Sequence, residues 1–298
     1  MRGWLESFFA EFDFAARDCR DLLVAYDAVV KDPASAAEWQ DMMERYDRDL
    51  HCDFGELRAR AAALAPRVCM HAYTMKLLLF VCLARRARDY YREAGLADAL
   101  WHDTMMDLKY KMEECREVYG ICGSFTQTWF DGFFELKRFA LGRLQFEVIN
   151  FGHTYEKNGK RLMPDSRVIN VHIARTGTPL DEKSCDEAFA RAASFFAKDL
   201  GDTPVAFVCH SWLLYPEHES MLPAHSNVLG FQRRFTLVEN GVYGDDHPEL
   251  WRLFDRPFTG DFDVLPYDSS LRRAYVDHLK AGGKTGWGFG VFFYGGCL

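Results

Sequence analysis

The chain has 298 residues, of which 49% are hydrophobic and 15% aromatic, so it can bury the core of one large domain or of two. Its formal net charge of −8 argues against a polyanionic partner such as nucleic acid. The longest apolar run covers residues 77–84, far short of the ~20 residues that cross a bilayer. Acidic residues come too early in the chain for a secretory signal. We therefore expect neither nucleic acid nor a membrane as a partner.

Nine cysteines are scattered through the chain without a Cys-x-x-Cys pair, and several lie inside apolar helical or strand patterns. This usage is typical of reduced thiols that act as small hydrophobic residues. Residues 51–53 and the histidines His210, His218 and His225 lack the spacing of metal ligands on a single element, so no metal site is predicted. The expectation is a cytoplasmic protein that acts on a small-molecule substrate.

Helical periodicity dominates the chain up to about residue 135. Trp4, Phe8 and Phe12 recur at spacings that place them on one helical stripe. A proline follows Asp32 and fits the first turn of the next helix. Further helices are predicted over residues 33–46, 54–64, 68–93 and 98–119. We expect an all-α domain over residues 1–135.

Beyond Gly142 the periodicity changes from that of helices to that of strands. Residues 144–151 alternate apolar with polar side chains, as a strand with one wet face does. A turn signal at 157–160 suggests that this strand neighbours another near 167–174. Strands are also predicted at 205–212, 235–238 and 287–294, and helices at 179–199, 216–222, 247–254 and 269–281. The fold class is α+β, with a mixed-sheet α/β domain over residues 136–298.

One βαβ unit is the clearest feature of the second half. Two apolar runs, 167–174 and 205–212, flank an amphipathic helix. Each run carries one histidine near its C-terminal end, His172 in the first and His210 in the second. Open α/β sheets bind ligands at the carboxyl ends of their parallel strands. The pattern therefore predicts a site at these two strand ends.

The period of two in each strand decides which side chains can meet. Asn170 shares a face with His172 in the first strand, whereas Cys209 and His210 point to opposite faces of the second. A Cys209–His210 nucleophilic pair is therefore excluded, but Cys209 or Ser211 could meet His172 from the neighbouring strand, which keeps a hydrolase open as a hypothesis. The histidines themselves fit either of two roles, core residues that donate to backbone carbonyls or a general base.

The segment 175–181, RTGTPLD, lies where an anion site would be expected. Thr178 is predicted as the helix N-cap, with Pro179 in the first turn and Asp181 completing a capping box. Arg175 could reach a phosphate, but Asp181 and Glu182 put negative charge at the positive end of the helix. A second glycine-rich segment, at 281–290, follows a helix and precedes a strand, the reverse of the P-loop order, so it is not a phosphate cradle.

Four segments resemble a known bacterial group. They are residues 141–147 (LGRLQFE), 170–173 (NVHI), 209–214 (CHSWLL) and 226–235 (SNVLGFQRRF). The group consists of acyltransferase-like proteins in which a helical N-acyltransferase N-terminal domain precedes a GNAT-like C-terminal domain. The resemblance implies a sheet whose two parallel strands splay apart, with the pantetheine arm of an acyl-CoA between them.

What the resemblance implies for function is an acyl-CoA-dependent N-acyltransferase that acts on a small amine. His172 or His210 would be the base, and Tyr215 the acid that protonates the leaving thiolate. Acetyl-CoA or a longer acyl-CoA would be the co-substrate. Its expected contacts are Ile173, Ala174, Arg175, Thr176, Gly177 and Thr178.

The chain departs from the group at one point. GNAT enzymes usually carry an Arg/Gln-x-x-Gly-x-Gly/Ala pyrophosphate loop after the first splayed strand, and the segment 175–181 lacks this motif. A second hypothesis follows, in which the protein is a non-catalytic GNAT-like domain that binds a ligand or a partner protein.

Overall fold

The computed structural model describes residues 1–157, 159–201 and 205–295. It divides into two compact units, Met1–Phe139 and Ala140–Leu298. The division falls a few residues after the boundary expected at position 135. A strand that begins at Arg138 spans this division.

The regular elements of the first unit up to Phe134 are all helices. Its helices are α1 (Arg2–Glu11), α2 (Ala16–Lys31), α3 (Pro33–Arg48), α4 (Phe54–Leu64), α5 (Ala72–Glu93), α6 (Asp98–Tyr119) and, after a short 3-10 turn, α7 (Asp131–Phe134). Asp32 caps α3 by accepting from the Ser35 N–H, as the Asp-Pro start predicts. Helix α5 begins later than residue 68, because residues 65–70 form turns and the His71 ring accepts from the Tyr73 N–H.

Helix α5 forms the core of this unit. Every residue from Leu77 to Ala84 is buried, so the helix is apolar on all sides, as the continuous apolar run predicts. Two buried tyrosine hydroxyls hold the end of the unit by donating to backbone carbonyls. Tyr46 Oη lies 2.8 Å from the Phe134 oxygen, and Tyr91 Oη lies 3.1 Å from the Phe133 oxygen. Both hydroxyls thereby find the hydrogen-bond partner that a buried polar group needs.

The second unit is built on a mixed sheet, which confirms the predicted α+β class. Its strands are β1 (Arg138–Leu141), β2 (Leu144–Asn150), β5 (Arg167–His172), β6 (Ala206–Ser211), β7 (Thr236–Val242) and β8 (Gly286–Phe293), and β3 (Tyr155–Lys157) pairs with β4 (Lys160–Leu162) in a separate hairpin. The sheet order is β1-β2-β5-β6-β8-β7, and β5 runs parallel to β6. Strands β2 and β5 are antiparallel neighbours as expected, but the turn signal at 157–160 belongs to the hairpin, and residue 158 lies outside the described residues.

The helices of the second unit are α8 (Glu182–Phe195), α9 (Ala197–Leu200), α10 (His218–Met221), α11 (Asn227–Gln232), α12 (Leu250–Phe254) and α13 (Ser270–Lys280). Helix α8 covers one face of the sheet, which we call the helix face. The ring of Phe189 packs there against Phe146, Phe207 and Phe292, with centroids 4.8–6.0 Å apart. The opposite face carries the side chains of His172 and His210, and we call it the histidine face.

Helix α8 starts later than the sequence suggests. The predicted N-cap was Thr178, but the cap is Asp181, whose Oδ1 accepts from the Ser184 N–H at 2.9 Å. The Thr178 hydroxyl instead lies 2.6 Å from that of Thr176 in a turn of its own. An aspartate caps a helix as well as a threonine does. The Ser184 hydroxyl also donates a hydrogen bond to the Asp181 carbonyl oxygen. The loop after β5 is therefore longer than expected and acidic at its end.

Three glycines of β8 leave room on the helix face for the segment that follows β6. Gly286, Gly288 and Gly290 alternate with the residues of the histidine face, and segment 212–215 lies directly on them. A Cβ built on Gly288 would lie only 2.3 Å from the carbonyl oxygen of Leu214. The spaced glycines therefore permit close backbone approach, as the alternating pattern predicts.

We expect Gly288→Ala to lower the free energy of unfolding by about 3 kcal/mol, because the new methyl group overpacks a backbone carbonyl that cannot move aside. Urea denaturation would measure the loss. Gly295→Ala is the matched control, because a Cβ at that position meets nothing within 4 Å. Equal stability of the two variants would contradict the packing described for segment 212–215.

Candidate functional site

The two parallel strands separate before they end. Within the described residues of β5 and β6 the ladder joins only Ile169 to Phe207 and Asn170 to Val208. On its other edge β6 stays paired with β8 as far as Ser211. The last residues of β5 and β6 thus leave an opening between them, which we call the strand divergence. The carboxyl ends of parallel strands are where open α/β sheets bind ligands.

His172 stands at the divergence in contact with a carboxylate. Its Nε2 lies 2.7 Å from Glu147 Oε1, and Asn170 Nδ2 lies 3.2 Å from the same oxygen. The side chains of His172 and Glu147 are each 16% exposed. An ionised carboxylate only accepts hydrogen bonds, so Nε2 of His172 donates to Glu147. Asn170 Nδ2, 3.1 Å from Nε2, donates to the same oxygen. The partner that the structure gives Nε2 of His172 is thus a carboxylate.

Glu147 is the site residue that the sequence reasoning missed. It lies on β2, and the antiparallel register sets it opposite Asn170, with Gln145 opposite His172. The signal was present in the alternation of residues 144–151, which places both polar side chains on one strand face. Only the register between β2 and β5 shows that this face is shared with His172.

His210 occupies the same face in a different setting. The Asn170–Val208 pair fixes the register, so His210 and His172 each lie two residues beyond the last ladder pair. The imidazole of His210 is exposed, and its centroid lies 4.6 Å from the Trp287 ring and 6.5 Å from Phe289. His210 is therefore not a core residue.

Tyr215 is not brought to the two histidines. Its ring lies on the helix face, where a Cβ built on Gly286 would lie 2.3 Å from it, and only 4% of the residue is exposed. Burial raises the pKa of its hydroxyl. The histidines are on the other face of the sheet.

Cys209 and Ser211 also lie away from His172. The register pairs Asn170 with Val208, so Cys209 points to the helix face while His172 points to the histidine face. The thiol of Cys209 is fully buried, which raises its pKa. Ser211 Oγ accepts from the Leu213 N–H at 3.1 Å and caps the 3-10 turn after β6. The expectation that either residue could meet His172 as a nucleophile is wrong.

The loop after β5 contains the six residues predicted to contact CoA. Arg143 holds this loop by donating to the carbonyl oxygens of Ala174 at 2.9 Å and of Thr178 at 3.2 Å. Arg175, which could have reached a phosphate, instead pairs with Asp255, with 2.6 Å between Nη1 and Oδ1. The loop is thus fixed by cations that bind groups of the protein itself.

A cavity of about 230 Å³ lies between the start of α8 and α11, on the helix side of the sheet. Its lining consists of Leu180, Asp181, Glu182, Cys185, Ala224, His225, Ser226, Asn227, Gly230, Phe231 and Arg234. Two carboxylates therefore stand at the helix start, as the sequence indicates. The guanidinium of Arg234 pairs with Asp186 and donates to the Glu182 carbonyl at 3.2 Å.

One group of side chains in the helical unit has the spacing of metal ligands. Asp18, Asp21 and Cys122 bring a potential ligand atom each within 4.8 Å of one another. Arg116 pairs with both carboxylates there, at 2.6 Å from Asp21. A guanidinium therefore already supplies the positive charge.

Among the described residues, no helix has the length and apolar character that crossing a membrane requires.

Comparison with known proteins gives two family matches. Residues 138–292 match the family described as a GNAT-like C-terminal domain, and residues 4–136 match the N-acyltransferase N-terminal domain. A search of the curated proteins found no match. The structure is similar to that of an acyltransferase in complex with decanoyl-CoA and teicoplanin, and to that of an acyltransferase in complex with CoA and 10C-Teicoplanin. Each is 24% identical, with a TM-score of 0.75 over 97% of this chain and 87% of that chain, a likeness of fold.

A buried histidine next to Tyr215 makes stability depend on pH. His218 is completely buried, its Nε2 lies 2.5 Å from the Tyr275 hydroxyl, and burial lowers its pKa to about 4. An unfolded chain has a histidine pKa of about 6.5. Below pH 6.5 the unfolded chain therefore binds a proton that the folded chain does not.

We expect this difference to remove about 3 kcal/mol of stability as the pH falls from 6.5 to about 4, with no contribution above 6.5. Urea unfolding of the wild type and of His218→Gln at several pH values would measure it. The variant is expected to lose stability less steeply over this interval, whereas His51→Gln, on the surface of the helical unit, keeps the wild-type slope. Identical slopes for wild type and His218→Gln would refute the assignment.

Proposed function

The chain belongs to the family that joins an N-acyltransferase N-terminal domain to a GNAT-like C-terminal domain, and we propose that it transfers an acyl group from acyl-CoA to a small primary amine. The observation that carries the proposal is the Glu147–His172 pair at the mouth of the strand divergence. A base held by a carboxylate beside an opening for an extended ligand is what amine acylation requires.

His172 acts as the general base. The Glu147 carboxylate orients the imidazole, and the imidazole accepts a proton from the amine nitrogen. The ammonium form of an alkylamine has a pKa of ~10, so a base must remove a proton before the nitrogen can attack the thioester carbon. The Glu147 carboxylate stabilises the imidazolium that forms, and a positioned base of this kind contributes roughly 10²- to 10⁴-fold to the rate.

The thioester reaches this base from the other side of the sheet. The cavity between α8 and α11 lies on the helix side and holds the nucleotide end of the acyl-CoA, while the loop of residues 173–178 lies next to the arm that enters the divergence. The amine then approaches from the histidine face. That two similar folds were crystallised with CoA or decanoyl-CoA supports acyl-CoA as the co-substrate.

Collapse of the tetrahedral intermediate breaks the carbon–sulfur bond and releases CoA as a thiolate. An alkyl thiol has a pKa of ~8.5, so the thiolate is a good leaving group. It then takes a proton from water or from the imidazolium. A dedicated acid is therefore unnecessary. We assign no role to Tyr215, whose ring is buried against Gly286 of β8.

A non-catalytic binding domain is the second candidate, and one observation favours it. Asp181 and Glu182 lie in the cavity that the phosphates would enter. Calorimetry with acetyl-CoA and decanoyl-CoA separates the two candidates, because the enzyme binds at least one of them at millimolar concentration or below. No binding of either would end the acyltransferase proposal.

We expect His172→Gln to lower kcat for amine acylation at least 100-fold, because glutamine cannot accept the amine proton. Glu147→Gln is expected to lower it about 10-fold, because the imidazolium loses its counter-charge. The KM for acyl-CoA stays within about twofold in both variants, since neither residue faces the cavity. Steady-state kinetics with a thiol-detecting reagent would measure both constants, and His51→Gln is the control. A His172→Gln enzyme with wild-type kcat would exclude this residue as the base.

We expect Glu182→Gln to tighten acyl-CoA binding by roughly three- to tenfold, because a carboxylate that repels the diphosphate is removed while the Asp181 cap stays in place. The gain shrinks at high salt, since screening weakens the repulsion. Calorimetry at two salt concentrations would measure it. Glu187→Gln, on the exposed part of the same helix, is the matched control, and an equal effect of both changes would show that the diphosphate lies elsewhere.

A further inference from the structure

Four rings follow one another on the histidine face, and we call them the ring row. They are His153, Phe289, His210 and Trp287. The ring of His153 lies 4.8 Å from Phe289, and that of His210 lies 4.6 Å from Trp287. Both imidazoles are exposed, Trp287 is half-buried and Phe289 is 8% exposed. The row therefore presents ring surface to solvent.

The row begins at the reacting centre. His210 and His172 lie on the same face, each two residues past the last ladder pair of β5 and β6. From His210 the row continues onto β8, where Phe289 lies directly opposite it. Paired strands are about 4.8 Å apart, so Phe289 on β8 lies one strand spacing from His210 on β6. An acceptor whose amine sits at His172 lies over these rings.

The ring row packs on a buried cluster on one side and is exposed to solvent on the other. Phe151 packs at 6.0 Å against Phe289 and at 5.6 Å against His153, inside a cluster that the β3–β4 hairpin helps to bury. Exposed rings held on such a support lose little freedom when a ligand covers them. The four side chains offer ring faces and imidazole nitrogens, unlike the carboxylates and amides that bind sugar hydroxyls. A flat apolar group matches this surface.

We propose that the acceptor amine carries an aromatic ring, which stacks on the ring row while its amine reaches His172. His210 and Trp287 are then positioning residues that set acceptor specificity, and His210 is not the base. The inference rests on the proposed acyl transfer and names the substrate class of that same site. Stacking on a ring is worth roughly five- to tenfold in affinity.

Two amines of equal carbon count test the inference, 2-phenylethylamine and 2-cyclohexylethylamine, with decanoyl-CoA as donor. The wild type is expected to show a roughly five- to tenfold higher kcat/KM for the aromatic amine. Trp287→Leu is expected to raise the KM for 2-phenylethylamine about tenfold while changing kcat less than twofold, and to leave the cyclohexyl amine unaffected. His210→Phe keeps the preference because it keeps a ring, whereas His210→Gln loses most of it. Trp251→Leu, on α12, is the matched control.

Equal kcat/KM values for the two amines would overturn the inference while leaving acyl transfer intact. So would a Trp287→Leu variant in which the KM for decanoyl-CoA rises instead, since the row would then hold the acyl chain. If neither amine is acylated and calorimetry detects no decanoyl-CoA binding, the proposed function itself fails. The thermal unfolding temperature of each variant, compared with that of Trp251→Leu, shows whether the variant is still folded. If Trp287→Leu is unfolded, the comparison of His210→Phe with His210→Gln still tests the inference.

Discussion

The early end of the β5–β6 ladder is the constraint on which the site depends. Both strands continue past Asn170 and Val208, but they are no longer joined there. Because side chains alternate along each strand, this one register pair decides which residues meet. It places His172 and His210 on one face and Cys209 on the other, and so favours general-base chemistry over a cysteine or serine nucleophile.

The divergence also explains how two substrates can reach one point. A sheet with helices on one face separates that side from the other, except where two strands part. The cavity between α8 and α11 lies on the helix side, whereas the Glu147–His172 pair and the ring row lie on the opposite face. In the proposed enzyme the thioester and the amine meet only at the opening, which keeps the acyl group from other nucleophiles.

Much of this could be predicted from local sequence pattern. Periodicity predicted the βαβ unit, the long helix α5 and the faces of both histidines, because these depend on residues close together in the chain. Glu147 was missed because its role depends on the register between β2 and β5, which no local pattern fixes. Tyr215 was expected beside the histidines because it follows β6, but the glycines of β8 let its segment pack on the helix face. The late start of α8 reflects competition between two good caps, Thr178 and Asp181.

Hydrogen exchange at the ends of β5 and β6 tests the central claim most directly. Backbone amides in peptides that cover residues 169–175 and 207–212 are read by mass spectrometry, with and without a non-hydrolysable acyl-CoA analogue. If the thioester arm lies between the strands, exchange in both peptides slows at least tenfold on binding, because the bound arm excludes water from both strand ends. If the analogue binds and exchange there is unchanged, the arm lies elsewhere and the account is wrong.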